Sequence, residues 1–267
     1  MNDSPSALAD PVLGSIHAAM TSAEGETPVY EGSLAVMGTK ARITTVGGPS
    51  DLPDRIASLL EKLNGLWSRF RDDSELSHLN NSPGHATSVS PETLRMLTEM
   101  AWGHSRTKGA YDPTVLPALL AEGYTSSLVT PGLETHVPPT SLPKGNLSAI
   151  EIRESFVSLP KGTTLDSGGV GKGLAADMAV ELAMAAGALG ALVEVGGDLR
   201  VEGLSPRADM WRLAIENPYD RSQRLSVVEL RNQGLATSTV TKRRFEVEGR
   251  GPHHIIDPTT LRSANSD

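Results

Sequence analysis

Residues 165–183 read LDSGGVGKGLAADMAVELA and place a carboxylate, four glycines and a lysine at the start of a helical pattern. Backbone N–H groups at a helix start form an anion site, and glycines allow a ligand to approach the backbone closely. Lys172 adds a positive charge that suits a phosphate. The stretch is therefore interpreted as a phosphate site that leads into a helix. The alternative is a glycine-rich turn with a solvated lysine.

This stretch matches neither standard nucleotide motif. A Walker A loop requires glycine where Asp166 stands, and Ser or Thr where Gly173 stands. The glycines also lack the G-x-G-x-x-G spacing of a dinucleotide fingerprint. Because a carboxylate repels a phosphate, we expect Asp166 to face a metal ion or an N–H group of the ligand instead.

Apolar spacing predicts further helices on the N-terminal side of this stretch, over residues 50–70 and 90–109. In the second of these, Ser90 is expected as N-cap, Pro91 as first helical residue and Gly109 as stop. The helix after the glycine loop is expected to bury one face and to end at Gly187. That face comprises Leu174, Met178, Leu182 and Ala186.

Strand patterns surround these helices. Residues 32–46 resemble a strand with Gly38 at a bulge or close approach, residues 147–164 a hairpin, and residues 124–146 a loop or insertion. Further strands are expected at 191–195, 211–218, 224–230 and 242–249. Because strands and helices do not alternate regularly, the pattern favours an α+β fold over a doubly wound one.

Composition excludes several classes of function. The net charge of −8 argues against non-specific nucleic-acid binding, and the lack of cysteine excludes disulfides, zinc-thiolate sites and thiol nucleophiles. No apolar run approaches the roughly 20 residues of a membrane-spanning helix. Residues 1–28 resemble a flexible arm without a signal peptide, so a cytoplasmic location is expected.

Three other segments contain candidate site residues. Taken alone, residues 67–80 (WSRFRDDSELSHLN) and 109–119 (GAYDPTVLPAL) are better explained structurally, as a capped polar face and a turn. Residues 253–260 (HHIIDPTT) place His254 near Asp257. Such a pair can act as a general base with its orienter, although a hydrogen-bonded histidine at a strand end is equally consistent with the pattern.

Six motifs occur in a specific order: MGTKA (37–41), SRFRDDSELSHLN (68–80), GAYDPTVLPAL (109–119), LDSGGVGKGLAAD (165–177), VEVGGDLRVEG (193–203) and ATSTVTKRRFEVEGRGPHHIIDPTT (236–260). This set resembles the FAD:protein FMN transferases, the ApbE family. The resemblance implies one ApbE-like domain over residues 29–267. The implied α+β fold has two lobes of T-fold-like antiparallel sheets with packed helices, and the flavin nucleotide lies between the lobes.

The resemblance also implies an activity. Family members cleave FAD with Mg²⁺ and attach FMN through its phosphate to a Thr or Ser of an acceptor protein, and AMP leaves. Two alternatives remain open, a Mg²⁺-dependent FAD pyrophosphatase that yields FMN and AMP, and a non-catalytic FAD-binding protein.

Site residues follow from the same resemblance. The expected nucleotide contacts are Met37, Phe70, Ala110, Tyr111, Asp112, Asp166, Lys172, His254 and Ile255. The backbone carbonyl of Gly169 is expected to bind the metal, and His254 to act as base beside Asp257.

The chain departs from the family pattern in two places. Thr259 and Leu261 replace the arginine and glycine of HIIDPRTG, so an altered turn is expected. The family also continues past this turn with an acid and a threonine of the metal site, whereas this chain reaches its last residue at Asp267. We therefore expect a short C-terminal end with an incomplete metal site.

Overall fold

A computed structural model describes residues 27–127, 129–217, 220, 222–239 and 251–265. Nearly all of the expected N-terminal arm, and the strand expected at 242–249, lie outside these residues. The described strands are β1 (Val29–Val36), β2 (Thr39–Val46), β3 (Ala86–Ser88), β4 (Glu151–Arg153), β5 (Phe156–Ser158), β6 (Gly190–Val195), β7 (Asp198–Gly203), β8 (Trp211–Glu216), β9 (Arg224–Leu230), β10 (Gln233–Leu235), β11 (Ile256–Asp257) and β12 (Arg262–Ser263). The described helices are α1 (Leu52–Trp67), α2 (Glu75–Asn81), α3 (Pro91–Arg106), α4 (Leu116–Ala121) and α5 (Gly171–Ala185), with a 3₁₀ turn at Leu147–Ala149.

The central layer is an antiparallel sheet in the order β1-β2-β6-β7-β10. Its first two strands form a hairpin, so the expectation of a single strand over residues 32–46 is wrong. Met37 and Gly38 form the turn with φ of 52° and 69°. Positive φ at both central residues is the geometry of a tight hairpin turn, whose twist matches the paired strands. Gly38 therefore serves the turn rather than a bulge.

Helices α1 and α5 pack together and cover this sheet. The expected α1 is confirmed, and its Ile56, Leu60 and Leu63 are fully buried. The buried face of α5 differs from the expectation. It consists mainly of Ala175, Ala176, Ala179, Val180 and Ala183, with Leu174, whereas Met178 and Leu182 are only half-buried. The small alanines bring this helix close to the sheet and to α1.

The remaining elements flank this core. Helix α3 is confirmed, with Ser90 accepting a hydrogen bond from the N–H of Thr93, but it ends at Arg106, before Gly109. The expected hairpin over residues 147–164 forms as β4 and β5, and β3 adds a third strand that the sequence pattern did not predict. Helices α2 and α4 were not predicted either. They have 7 and 6 residues, too few to show a helical period.

The predicted α+β class is confirmed, because the sheets are antiparallel and the helices pack on them. No helix within the described residues is long and apolar enough to span a membrane.

Candidate nucleotide site

The glycine loop that begins at Asp166 is fixed by three earlier segments of the chain. The amide side chain of Asn80 bonds both backbone groups of Leu165, at 2.7 Å to the N–H and 2.9 Å to the carbonyl. The N–H of Asp166 donates to the carbonyl of Pro113 at 2.9 Å. The hydroxyl of Ser167 donates to the carbonyl of Trp67 at 2.9 Å. The loop therefore has a defined position at the start of α5.

The carboxylate of Asp166 is bound on both oxygens. Its Oδ1 lies 3.2 Å from Nε of Arg69, whose side chain is buried. Its Oδ2 accepts a hydrogen bond from the N–H of Gly168 at 3.1 Å. The acid that begins the motif is thus part of an ion pair and also shapes the loop.

Tyr111 packs directly on this loop. A Cβ added to Gly169 would lie 2.5 Å from Cε2 of the Tyr111 ring, so the ring touches the glycine backbone. The phenol oxygen is buried and has no hydrogen-bond partner among the described residues. Burial, followed by the charges of Asp166 and Asp112, raises the pKa of Tyr111 far above its usual value. The phenol is therefore a protonated donor at any physiological pH.

Asp112, next to Tyr111, is a buried carboxylate with several partners. Its Oδ1 accepts from the N–H and the hydroxyl of Thr114 at 2.9 and 2.7 Å, and its Oδ2 lies 3.2 Å from Nζ of Lys144. Nε2 of His104 lies 3.8 Å from the same oxygen. Burial acts to raise the pKa of Asp112, but the bonds from Thr114 and the charge of Lys144 hold it below its ordinary value.

Lys172 is the second residue of α5 and extends back over the loop. Its Nζ lies 3.4 Å from the carbonyl of Gly168 and 3.9 Å from Oδ2 of Asp198. Asp198 follows the turn between β6 and β7, where Gly196 donates its N–H to the carbonyl of Lys40 at 3.2 Å. This turn therefore lies beside the start of β2 and brings Lys172 to the same edge of the sheet.

The other expected contact residues lie in two neighbouring places. Met37 is half-buried in the β1–β2 turn and packs against the main core. The ring of Phe70 packs against Tyr124 in a tilted arrangement, with the centroids 5.8 Å apart. Phe70 belongs to a second apolar cluster that also contains Ile256. The segments around Phe70 and around the HHIIDP turn thus share one cluster, whereas Ala110 is exposed at the surface.

The HHIIDP turn is closed by its own side chains. The carboxylate of Asp257 accepts a hydrogen bond from the N–H of Thr259 at 2.8 Å. This bond is the main factor that lowers the pKa of Asp257. Lys144 reaches the turn at the carbonyl of Pro258, 3.4 Å from its Nζ, and so links it to Asp112. His254 and Ile255 are both half-buried.

Leu261 adopts a φ of 59°, the left-handed region that glycine favours. Leu261, which stands where the resemblance expects glycine, therefore takes a backbone conformation that glycine adopts more easily, at some cost in strain. The altered turn stays a prediction.

A complete metal site is not formed by the described side chains. Among the described residues, no three His, Cys, Asp or Glu side chains lie close enough together to hold a metal ion. Asp112 and Asp166 are each paired with a cation, Lys144 and Arg69. The carbonyl of Gly169 as a metal ligand stays a prediction.

Sequence reasoning missed the two cations that organise the site. Arg69 lies in the SRFRDDSELSHLN motif, whose pattern assigns it no role, and Lys144 lies in the expected loop or insertion at 124–146. An arginine before an aromatic residue is a weak signal for a buried cation–π pair. Lys144 has no local signal, because its partners Asp112 and Pro258 are distant in the sequence.

A glycine loop at a helix start, with a lysine over it and buried polar groups around it, has the features of an anion site that suits a phosphate. The chain belongs to the ApbE family, whose sequence model matches residues 37–267. A relative named FAD:protein FMN transferase from Vibrio cholerae is 31% identical over 252 residues, which cover 86% of this chain and 72% of the relative. One of the same name from Salmonella typhimurium is 30% identical over 258 residues, covering 91% and 72%.

Solved structures agree with the family assignment. The flavin transferase ApbE from Vibrio cholerae has a TM-score of 0.69 at 27% identity, covering 89% of this chain and 79% of that one. The ApbE protein from Thermotoga maritima has a TM-score of 0.75 at 25% identity, covering 88% and 78%.

Proposed function

We propose that this protein is an FAD:protein FMN transferase. It cleaves the pyrophosphate of FAD, attaches FMN through its phosphate to a Thr or Ser of an acceptor protein, and releases AMP. One observation carries the proposal. This chain belongs to the ApbE family, and its glycine loop before α5 is contacted by the segment of Tyr111 and Asp112 and by Arg69. The names of the two relatives above support the same activity.

The glycine loop and Lys172 are proposed to hold the pyrophosphate. The loop offers backbone N–H groups at the start of α5, and Gly168 and Gly169 are exposed, so a ligand can reach the backbone. Nζ of Lys172 lies 3.4 Å from the carbonyl of Gly168 in this loop. A lysine cation and oriented N–H groups stabilise charge that develops on phosphate oxygens.

The remaining contacts are proposed by position. Tyr111 packs on the loop at Gly169, and Asp112, Ala110 and Met37 are proposed as further contacts of the nucleotide. Phe70 belongs to the second apolar cluster, and Ile255 directly precedes its member Ile256. Flavin and adenine rings are large and apolar, so partly buried side chains of this kind suit them.

The chemistry is displacement at phosphorus. The acceptor hydroxyl forms a bond to the phosphorus of the FMN half, and the bond from that phosphorus to the bridging oxygen breaks, so AMP leaves with that oxygen. A hydroxyl is a poor nucleophile at neutral pH, and a base must take its proton. His254 is the proposed base, with Asp257 shaping the turn that bears it.

Mg²⁺ is the proposed metal, and Gly169 supplies the proposed carbonyl ligand. A bound magnesium ion would offset the charge of the pyrophosphate. The described side chains do not complete its coordination. A cytoplasmic location stays the prediction made from the sequence.

Incubation of the protein with FAD, Mg²⁺ and a panel of Thr- and Ser-containing peptides tests the proposal. Mass spectrometry should find an FMN phosphodiester on a peptide, with AMP in equal amount. No adduct should form when EDTA is present during the incubation. Free FMN and AMP without an adduct would indicate a pyrophosphatase. Intact FAD that co-elutes with the protein would indicate a binding protein without chemistry.

A further inference from the structure

Arg69 is a buried cation at the base of the nucleotide site, with only 6% of its surface exposed. Its Nη1 donates to the hydroxyl of Thr135 at 2.6 Å, and its Nη2 donates to the carbonyl of Tyr124 at 3.0 Å. The guanidinium lies over the rings of Phe70 and Tyr124, 4.2 and 4.4 Å from their centroids. Its Nε faces Oδ1 of Asp166 at 3.2 Å.

These contacts fix the guanidinium in one orientation. A buried arginine is costly unless its donors are bonded, and here the planar group is bonded at its edge and covered on its face. The bonds to Thr135 and Tyr124 use other nitrogens than the contact with Asp166, so they hold the guanidinium independently of the carboxylate. The direction of the Nε–Asp166 contact is therefore imposed by the protein rather than by the carboxylate.

The orientation of Asp166 controls the glycine loop. While Oδ1 faces Arg69, Oδ2 reaches the N–H of Gly168. Without the guanidinium the carboxylate would lose both its neutralising charge and its orientation. An unpaired carboxylate beside a pyrophosphate repels it, and a rotated one no longer shapes the loop.

We infer that Arg69 is a positioning residue that orients and neutralises Asp166 for nucleotide binding, and acts on the ligand through Asp166. The inference rests on the proposed function for the identity of the ligand. It assigns a role to a residue outside the set of expected nucleotide contacts.

A double-mutant cycle tests whether Arg69 acts through Asp166. Arg69→Met should weaken FAD binding roughly tenfold or more when Asp166 is present, and less than about twofold in the Asp166→Asn background, because coupled residues are non-additive. Riboflavin, which has no phosphate, should lose less affinity than FAD. Equal FAD losses in both backgrounds would overturn the inference. Titrations of all four proteins by calorimetry supply the data.

Arg95→Met is the matched control, because it makes the same substitution in an arginine that pairs with Glu181 on the exposed faces of α3 and α5. It should change FAD affinity by less than about twofold, since an exposed ion pair contributes little. If Arg69→Met does not fold, Arg69→Lys takes its place in the cycle. Lysine keeps the charge but loses the planar fork, so it should restore part of the affinity.

Hydrogen exchange of the free protein tests the positioning without FAD. Amide exchange in peptides that cover residues 166–173 should be faster in Arg69→Met than in the parent and unchanged in Arg95→Met. A parental protein that binds no FAD would refute the proposed function, and the exchange data would still decide the role of Arg69. Loop exchange unchanged by Arg69→Met would overturn the inference even if FAD transfer is found.

Discussion

The ring of Tyr111 lies so close to Gly169 that a Cβ on the glycine would meet Cε2 of the ring at 2.5 Å. The glycine is therefore required by a close approach, since its backbone φ is not in the left-handed region. This contact joins the segment of Asp112 to the loop that precedes α5.

Gly169→Ala should displace either the ring or the loop. Overpacking of this kind costs about 1–3 kcal/mol of unfolding free energy, and FAD affinity should fall with it. Urea unfolding and FAD titration measure the two effects. Gly65→Ala is the matched control, because nothing lies within 4 Å of a Cβ at that position of α1, outside the glycine loop. It should leave binding unchanged and stabilise by about 0.5–1 kcal/mol. Equal stability of the Gly169→Ala protein and the parent would contradict the packing argument.

Tyr111→Phe should change stability and binding in opposite directions. The phenol oxygen is buried without a hydrogen-bond partner among the described residues, and such a group costs about 1–3 kcal/mol. Its removal should keep or raise the melting temperature of the free protein. FAD affinity should fall if the phenol donates to the nucleotide. A lower melting temperature with unchanged FAD affinity would show that the phenol serves the ligand-free fold.

The sequence predicted the long, capped elements and missed those defined by distant contacts. Helices α1 and α3 show apolar periodicity over 16 residues each, and Ser90 caps the second as expected. The β1–β2 hairpin was missed because Met37 takes a positive φ that sequence rules assign to Gly, Asn or Asp. The predicted buried face of α5 was wrong because it was based on the large side chains of Met178 and Leu182. The residues that are buried against the core are mainly alanines.

In the candidate site too, residues in local motifs could be predicted and residues defined by distant contacts could not. Asp166, Tyr111 and Lys172 could be named from motifs, and the structure brings their segments together. Arg69 could not be assigned, since its role arises from Thr135, Tyr124 and Asp166 meeting in space. A single sequence contains no record of which distant segments become neighbours.

Asp112 should contribute stability that is lost in acid. Its pKa is lowered in the folded protein, so the folded state binds the proton less tightly than the unfolded chain. That contribution is complete above the unfolded pKa of about 4 and disappears as the pH falls through the lower folded value. Asp112→Asn should therefore destabilise the protein at pH 7 and much less near pH 3. Urea unfolding across this range measures the difference.

Asp177 supplies a contrast of opposite sign. Burial raises its pKa, so its ionised form is disfavoured in the folded protein and stability falls as the pH rises through its titration. Asp177→Asn should therefore stabilise the protein at pH 7. If both variants lose stability equally at every pH, the electrostatic explanation fails for both sites.

Lys172→Ala should weaken FAD more than riboflavin. The ammonium lies over the loop proposed for the pyrophosphate, and riboflavin has no phosphate. A charge-assisted contact is worth roughly 1.5–3 kcal/mol, which corresponds to a loss of tenfold or more. Lys62→Ala is the control, because Lys62 pairs with Glu92 on the surface of α1. Equal losses for FAD and riboflavin would place the action of Lys172 in the fold and not at the phosphates.

His254→Ala should spare FAD affinity and slow FMN transfer by about 10²–10⁴-fold if His254 is the general base. The parental rate should rise with pH through the imidazole pKa, about 6.5 when unperturbed, and the variant should lose that dependence. Initial rates of peptide labelling between pH 5.5 and 8.5 measure both effects.

His253 is not a simple negative control, because it is buried next to the β11–β12 hairpin. Its Nε2 lies 3.0 Å from the carbonyl of Ala264, and its Nδ1 accepts from the N–H of Ile255 at 3.3 Å. His253→Ala should therefore lower the melting temperature without removing the pH dependence of the remaining activity.

A His254→Ala protein that transfers FMN at the parental rate would refute the assignment of His254 as the base. A His254→Ala protein that no longer binds FAD would identify His254 as a ligand contact.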